Sequence, residues 1–439
     1  MSSTIAWLPR SSGGSSTLRK EPTGVPESPK LGLFEAVGIE LEYMIVDRTG
    51  LDVLPVCDRV LAAQAGEITS DVELDGVCWS NELVCHVIEI KNSTPAPQCA
   101  DLAARFQGQI TQIGGHLEPL GGRLMPTAMH PWMDPLAETR LWPYDCSAIY
   151  EAFNRIFDCR GHGWSNLQSV HVNLPFRDDE EFGRLHAAIR LVLPIIPGLA
   201  ASSPIVDGRA TGLLDNRMDA YRRNCAKIPS ITGLVIPEPV FTIEEYSERI
   251  LRRIYRDMAA YDPEGILQDE WANARGAIAR FSRNTIEIRV IDVQECPAAD
   301  LAIAAAITEV LKLLVGETWS DLQWQQAWPT EPLADLLGIV VRDGENALIT
   351  DAQYLRTLGW DSSSACTAGE LWRHLIETAF AHNPQALSFA QETLTRLLQG
   401  GTLAGRILKK TGQAPSRACL QGVYRQLTDC LAAGEMFRI

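Results

Sequence analysis

The sequence lacks the features that mark several large classes of protein. Its 11 cysteines include no Cys-x-x-Cys pair, so neither a zinc ribbon nor a dithiol redox site is indicated, and we expect scattered, reduced thiols. The longest apolar stretch, 191–206, contains three prolines, which predicts a broken, buried segment instead of a membrane span. A net charge of -16 without a basic patch argues against nucleic acid as a partner.

Motifs that bind nucleotides through glycine-rich loops are also missing. The chain contains no Gly-x4-Gly-Lys-Ser/Thr motif, and no Gly-x-Gly-x-x-Gly motif follows a predicted strand. A Gly-x-Ser-x-Gly nucleophile elbow is absent as well. The sequence therefore gives no support for a P-loop, a Rossmann site or an α/β-hydrolase nucleophile elbow. If a nucleotide is bound, metal ions and arginines must hold it.

The two ends of the 439-residue chain differ from its middle. Residues 1–34 are rich in Ser, Gly and Pro and have no apolar centre, which predicts a disordered or loosely attached arm and no signal peptide. We therefore expect a cytoplasmic protein without a membrane anchor. Residues 316–439 show helical patterning alone and predict a helical region packed on the part that precedes it, 35–315.

Hydrophobic periodicity predicts an α+β fold. Alternation with a period of two indicates strands at 36–47, within 83–91, and at 123–126, 167–175 and 285–293. Helical patterning covers 97–117, 178–193, 241–260, 298–315, 367–382, 385–399 and 415–435.

Three of these strands carry polar pairs at a spacing of two, which places both members of a pair on one face of the sheet. The pairs are Glu40 with Glu42, His171 with Asn173, and Glu287 with Arg289. A sheet with one wet face also shows such alternation, and for a single strand that interpretation is the simpler one. Facing carboxylates, however, repel unless a cation lies between them, and oxygen ligands with one imidazole suit Mg²⁺ or Mn²⁺.

Two further candidates are less regular. Glu82 and Glu89 are separated by seven residues, so a regular strand would direct them to opposite faces, and a bulge or a strand that starts after Glu82 is needed to unite them. Arg217 belongs to a short basic segment, 217–227, which suits either an anionic small-molecule site or a solvated helix face.

Taken together, five segments resemble the glutamate-cysteine ligase family, most closely its bacterial type 2 group of carboxylate-amine ligases. They are GIELEY at 38–43, ELVCHVIEI at 82–90, VHVN at 170–173, ASSP at 201–204 and TIEIRVID at 285–292. The resemblance covers about 36–310. It implies a glutamine-synthetase-like fold, a curved, mostly antiparallel sheet that forms a funnel with helices outside. ATP would enter one end and the acid substrate the other, with Mg²⁺ between them.

The same resemblance implies functional roles for particular residues of this chain. Arg289 is similar to the phosphate-facing arginine, and Glu287 is expected to act beside it in catalysis. Arg217 is similar to the arginine near the acid substrate, and His130 and Asn173 are expected to contact substrate. The set expected to bind metal is Glu40, Glu42, Glu82, Glu89, His171 and Glu287.

The chain departs from the family pattern in two motifs. Ser169, His171 and Asn173 stand where the type 2 pattern reads His-x-His-x-Gly, and Ala128 and Met129 precede His130 where the family has Gly-Thr. The implied reaction joins the γ-carboxyl of glutamate to cysteine, and these departures leave another acid or amine open. A metal-dependent hydrolase and a non-catalytic binding protein remain alternatives, and the sequence leaves a homo-oligomer open.

Overall fold

A computed structural model of the chain describes residues 30–361 and 364–439, so most of the predicted N-terminal arm lies outside the described residues. The strands are β1 Gly38–Asp47, β2 Asp71–Leu74, β3 Val77–Asn81, β4 Val87–Asn92, β5 Gly122–Met125, β6 Ser169–Pro175, β7 Ile205–Val206, β8 Arg209–Ala210, β9 Ala277–Arg280, β10 Thr285–Asp292, β11 Leu348–Ile349 and β12 Cys366–Thr367.

The α-helices that surround these strands are α1 Cys57–Ala65, α2 Ala103–Leu117, α3 Pro135–Glu138, α4 Ser147–Phe157, α5 His162–Ser165, α6 Asp179–Val192, α7 Pro197–Ala200, α8 Asn216–Tyr221, α9 Ile243–Tyr246, α10 Arg252–Met258, α11 Pro297–Val315, α12 Leu322–Gln326, α13 Thr330–Asp343, α14 Ala352–Thr357, α15 Ala368–His382, α16 Pro384–Leu387, α17 Gln391–Gly400, α18 Leu403–Thr411 and α19 Arg417–Ala433. Among the described residues, no helix combines the length and the apolar character that crossing a membrane requires.

One eight-stranded sheet organises the molecule. Its order is β2-β3-β4-β1-β6-β10-β9, and β5 pairs with the far end of β1. Every pairing in it is antiparallel. The predicted α+β class with a mostly antiparallel sheet is therefore confirmed.

The central strand β1 is buried on both faces. Its side chains alternate between two hydrophobic cores, one on each face of the sheet. Ile39, Leu41 and Tyr43 face the main hydrophobic core. On the opposite face Glu40 and Glu42 come first, and the following apolar residues of that face enter a second, smaller core. The carboxylates thus lie on the same face as an apolar cluster, which shields them at one end.

The C-terminal helices complete that second core. Leu403 of α18 and Tyr424 of α19 pack there with Met44 of β1. A buried ion pair joins Arg406 to Glu295, with Nη1 2.6 Å from Oε1. Except for the short ladder between β11 and β12, every regular element in the described part of 316–439 is a helix. The boundary at 315/316 itself stays a prediction.

Several elements differ from the predicted ones. The helix predicted at 241–260 is interrupted by a π-turn, Ser247–Leu251. The hairpin of β2 and β3 was not predicted, although Asp75-Gly76 lies between the strands and both residues adopt positive φ, as a tight hairpin turn requires. The stretch 191–206 is broken and buried as predicted, with α7 beginning only at Pro197.

Candidate active site

The strand register brings the predicted polar pairs to one face. Glu40 lies opposite His171 between β1 and β6, and Glu42 lies opposite Glu89 between β1 and β4. Glu287 of β10 lies opposite Asn173 of β6. Because residues opposite each other in a sheet point to the same side, four strands contribute to one surface. All six predicted metal ligands lie on it or at its edge, and each is at most 4% exposed.

The first half of this surface is the His171 group, which we define as Glu40, His171 and Glu287. Their ligand atoms lie within 4.8 Å of one another. His171 Nδ1 lies 3.1 Å from Glu40 Oε2 and 3.6 Å from Glu287 Oε1. Asn173 Nδ2 donates to the other oxygen of Glu40 at 3.1 Å.

Arginines neutralise this half of the surface. Arg280 Nη1 lies 3.1 Å from Glu287 Oε2, and Arg289 Nη1 lies 3.2 Å from Glu287 Oε1. Burial alone would raise the pKa of Glu287, but the Arg289 guanidinium holds it below its ordinary value. Glu40 is also buried, and its hydrogen bond to His171 keeps its pKa well below the usual range. Both carboxylates are therefore ionised and paired by the protein itself.

The second half is the Glu82 group, which we define as Glu42, Glu82 and Glu89. Their ligand oxygens also lie within 4.8 Å of one another. Glu82 lies between β3 and β4, and β4 begins only at Val87, so the strand starts after Glu82 and its odd spacing from Glu89 does not separate the two. The group is therefore assembled from a strand pair and the connection beside it.

The electrostatics of the Glu82 group are opposite to those of the His171 group. Burial, and then the carboxylates of Glu42 and Glu89, hold the pKa of Glu82 well above its ordinary value. Burial raises the pKa of Glu89 to about 7, although the Lys91 ammonium favours its ionised form. In the described part of the chain, neither side-chain oxygen of Glu82 has a hydrogen-bond partner. Buried oxygens of this kind are normally satisfied.

This donor set fits a divalent cation. The three converging carboxylates of the Glu82 group offer the hard oxygen ligands that Mg²⁺ and Mn²⁺ prefer. Both side-chain oxygens of Glu82 lack a hydrogen-bond partner among the described residues. The His171 group offers two carboxylates and one imidazole, a set that suits the same ions. Without a cation, burial and the neighbouring carboxylates favour the protonated form of Glu82, as its raised pKa indicates.

A β-bulge adds a residue to the site that the sequence pattern did not predict. Pairing between β10 and β6 runs from Ile288 opposite Val172 to Ile291 opposite Val170, so β10 holds one extra residue there. The extra residue shifts the alternation and places Asp292 on the face of Glu287, opposite Ser169.

Asp292 fixes Arg217, the arginine expected near the acid substrate. Arg217 Nη1 lies 3.3 Å from Asp292 Oδ1, and Arg217 Nη2 donates to the backbone oxygen of Arg289 at 2.6 Å. Asp292 Oδ2 accepts hydrogen bonds from Ser202 N and Ser203 Oγ, both at 2.9 Å. The segment ASSP therefore anchors the carboxylate that holds Arg217.

Two cavities of unequal size flank the carboxylate surface. The open cavity has a volume of about 520 Å³, and its lining includes Gly38, Glu40, Lys91, Asn173, Arg283 and Thr285. The closed cavity has a volume of only about 30 Å³, and its lining includes Glu42, Trp164, Ser169, Arg217, Tyr221 and Arg289. The open cavity is of the size of small-molecule sites, whereas the volume of the closed cavity would admit only one or two waters.

One predicted site residue is not brought to this surface. His130 is fully buried beside Trp132 and lines neither cavity. Its Nε2 lies 2.7 Å from the Leu51 carbonyl oxygen, and its Nδ1 accepts a hydrogen bond from Trp132 N at 3.2 Å. Both ring nitrogens are thus engaged by the backbone, which gives His130 a structural position.

Other residues of the surface were missed. Lys91 follows Glu89 by two residues, so the period that placed the carboxylates also placed Lys91 on their face. Ser80 lies opposite Glu89 on β3, a strand that was not predicted. Arg280 lies at the end of β9, which was not predicted either.

The chain is similar in sequence to one protein family and to individual proteins of other organisms. The sequence profile of glutamate-cysteine ligase family 2 matches residues 36–355. A protein of Archaeoglobus fulgidus is 29% identical over 404 residues, which cover 91% of this chain and 100% of that protein. A protein of Pseudomonas aeruginosa, whose name assigns it provisionally to glutamate-cysteine ligase 2, is 29% identical over 291 residues, covering 64% of this chain and 66% of its own length.

Among solved structures, a bifunctional glutathione synthetase from Pasteurella multocida is similar in fold. The TM-score is 0.56 at 13% sequence identity, and the match covers 91% of this chain and 52% of that chain. This chain therefore spans about half of that structure and about two thirds of the Pseudomonas relative. The match of the family profile to most of the chain is the decisive finding, and the chain belongs to glutamate-cysteine ligase family 2.

Proposed function

We propose that the protein is an ATP- and Mg²⁺-dependent carboxylate-amine ligase. The observation that carries the proposal is a single buried surface on which two groups of metal-compatible carboxylates and Arg289 lie between two cavities. Membership of glutamate-cysteine ligase family 2 supports the same class of reaction. Such a site needs to bind an acid, an amine and a nucleotide, and the two cavities offer separate places for the acid and the nucleotide.

The reaction proceeds in two steps, and one oxygen of the acid is transferred to the released phosphate. An oxygen of the acid substrate attacks the γ-phosphorus of ATP, ADP leaves, and an acyl phosphate is formed. The amine then attacks the acyl carbon, the amide bond forms, the amine loses a proton, and phosphate leaves with the oxygen of the original carboxylate. Phosphoryl transfer depends on positioning and charge neutralisation, so no protein nucleophile is required.

The open cavity suits the nucleotide. Its volume of about 520 Å³ lies within the ordinary range for ligand pockets, roughly 300–1,000 Å³. Lys91 and Arg283 are among its lining residues and provide positive charge for the phosphates. Bound Mg²⁺, or Mn²⁺, would be held by the His171 and Glu82 groups and would neutralise phosphate charge. Arg289, fixed by Glu287, would stabilise charge on the transferring phosphoryl group.

The closed cavity suits the reacting acid. Arg217 and Arg289 are both among its lining residues, and either cation can pair with a substrate carboxylate. The cavity must widen when the substrate binds, because about 30 Å³ excludes an amino acid. We propose the γ-carboxyl of glutamate as the acid and cysteine as the amine, by similarity to the family, and Asn173 in the lining of the open cavity as a further substrate contact. Both ring nitrogens of His130 are hydrogen-bonded to the backbone, so its geometry does not support a substrate contact.

A direct test combines the full chain with ATP, Mg²⁺ and mixtures of amino acids. Phosphate release is measured while new amides are sought by mass spectrometry. We expect phosphate release only when both an acid and an amine are present, with one amide formed per phosphate. Substrate cleavage without ATP would instead support a metal-dependent hydrolase, and ligand binding without turnover of any mixture would support a non-catalytic homologue. A cytoplasmic location remains part of the proposal.

A further inference from the structure

Lys91 is a buried cation at the edge of the Glu82 group. It lies on β4 two residues after Glu89 and opposite Glu40, and its side chain is 2% exposed. Its Nζ forms an ion pair with Glu89 Oε1 and donates to Ser80 Oγ at 2.9 Å. Ser80 Oγ in turn donates to the same oxygen of Glu89 at 2.8 Å. The ammonium is therefore fixed in place beside the carboxylates.

The charges of the group do not balance without a further cation. When ionised, Glu42, Glu82 and Glu89 carry three negative charges, and Lys91 offsets one of them. Neither oxygen of Glu82 has a hydrogen-bond partner among the residues that the structure describes, and the same is true of Glu89 Oε2. One divalent cation would bring these four side chains to neutrality. It would also meet the positive charge of Lys91 in a buried site, where like charges repel much more strongly than in water.

We propose that Lys91 is a built-in counter-ion of the Glu82 group. It supplies part of the positive charge when no metal is bound, which allows three carboxylates to be buried together. The same ammonium repels the incoming cation and weakens its binding, so the bound metal stays exchangeable. This inference rests on the proposed function, because it requires that the Glu82 group binds a divalent cation.

A purely structural lysine would behave differently. If Lys91 only filled space and paired with Glu89, its removal would lower stability by the same amount with and without metal. A counter-ion, in contrast, competes with the metal for the same negative charge. Its removal therefore destabilises the metal-free protein more than the metal-bound protein. The two roles are separated by metal affinity, which can be measured without substrate or turnover.

The test uses Lys91→Met, which keeps a long side chain and removes the charge. The full-length chain is freed of metal with EDTA and titrated with Mn²⁺, and free Mn²⁺ is followed by its electron paramagnetic resonance signal. We expect Lys91→Met to bind Mn²⁺ at least about tenfold more tightly than the unsubstituted chain. We also expect Mn²⁺ to raise its unfolding temperature by more. Lys91→Gln, which retains hydrogen bonding, provides the same test if the methionine variant does not fold.

A matched control is Arg190→Met. Arg190 is another buried cation, but it donates to the carbonyl oxygens of Pro237 and Trp328 and lies outside the carboxylate surface. We expect this variant to lose stability and to keep the Mn²⁺ affinity of the unsubstituted chain. Glu82→Gln, which removes one proposed ligand, should weaken Mn²⁺ binding.

Two results would overturn the inference in distinguishable ways. Unchanged or weaker Mn²⁺ affinity in the folded Lys91 variants would refute the counter-ion role and leave the metal site of the proposed function standing. Failure of the unsubstituted chain to bind Mn²⁺ at all would refute both the counter-ion role and that metal site.

Discussion

The His171 group and the Glu82 group are neighbours on one buried surface, yet the protein treats them differently. In the His171 group, Glu40 is paired with His171 and Asn173, and Glu287 is paired with two arginines. In the Glu82 group, the carboxylates face one another, and Glu82 has no hydrogen-bond partner within the described part of the chain. Both carboxylates of the first group have ionic or hydrogen-bonding partners in the protein, whereas Glu82 of the second group has none among the described residues.

The pKa values follow this division. Those of Glu40 and Glu287 lie below their ordinary value because of His171 and Arg289, which overcome the effect of burial. Those of Glu82 and Glu89 lie above it because burial dominates. Similar clusters of buried residues therefore need not have the same requirement for a cation. The raised pKa of Glu82 favours a proton or a cation there, whereas arginines stabilise ionised Glu287 and His171 stabilises ionised Glu40.

The largest expected effect is on turnover. Glu287→Gln removes a proposed metal ligand and the partner that fixes Arg289, so we expect the ligase rate to fall by about 10²- to 10³-fold. The rate is measured as phosphate release with acid, amine and ATP present. Glu309→Gln is the matched control, since Glu309 is buried in α11 and pairs with Lys312 and Asn383 away from the sheet surface. Full activity of Glu287→Gln would contradict the assignment.

The comparison also predicts opposite effects on stability. In metal-free protein at pH 8, Glu287→Gln should lower the free energy of unfolding by about 3 kcal/mol or more, because Arg280 and Arg289 lose a buried partner. Glu82→Gln should raise it by about 1 kcal/mol, because a buried carboxylate without a partner is removed. Denaturant unfolding in EDTA measures both. Destabilisation of similar size in the two variants would show that the groups do not differ.

His130, which lies away from the carboxylate surface, makes the stability of the protein depend on pH. Burial lowers its pKa from 6.5 to about 4, so below pH 6.5 the unfolded chain binds a proton that the folded chain does not. The free energy of unfolding is therefore highest above pH 6.5 as far as His130 is concerned. It falls by roughly 3 kcal/mol as the pH is lowered from 6.5 to 4. Unfolding at a series of pH values should show this slope in the unsubstituted chain and a shallower one in His130→Gln. Equal slopes would contradict the assignment of a buried, neutral imidazole.

The smallest expected effect concerns Asp292. Asp292→Asn keeps the size of the side chain but weakens its hold on Arg217, so we expect the KM for the acid to rise about tenfold with a smaller change in kcat. The KM for ATP is the internal reference and should remain unchanged. A rise confined to the KM for ATP would place Arg217 on the nucleotide side of the surface.

Periodicity predicted much of this surface for a physical reason. Where antiparallel strands pair without irregularity, residues two apart share a face, and this brought Glu40, His171 and Glu287 together. Asp292 was not predicted because the bulge in β10 shifts the alternation of side chains between the two faces. A sequence pattern does not show where the register of strand pairing changes. The motif around His130 predicted a substrate contact, but its ring nitrogens are used by the backbone, which only the tertiary structure reveals.

The central claim is that an acid substrate is activated as an acyl phosphate on this surface. It is tested most directly by labelling the carboxyl oxygens of the acid with ¹⁸O and analysing the released phosphate by mass spectrometry. We expect one ¹⁸O atom in each phosphate, because the oxygen that attacks ATP leaves with the phosphate when the amine adds. Phosphate that carries no ¹⁸O from the acid, while amide is still formed, would contradict it.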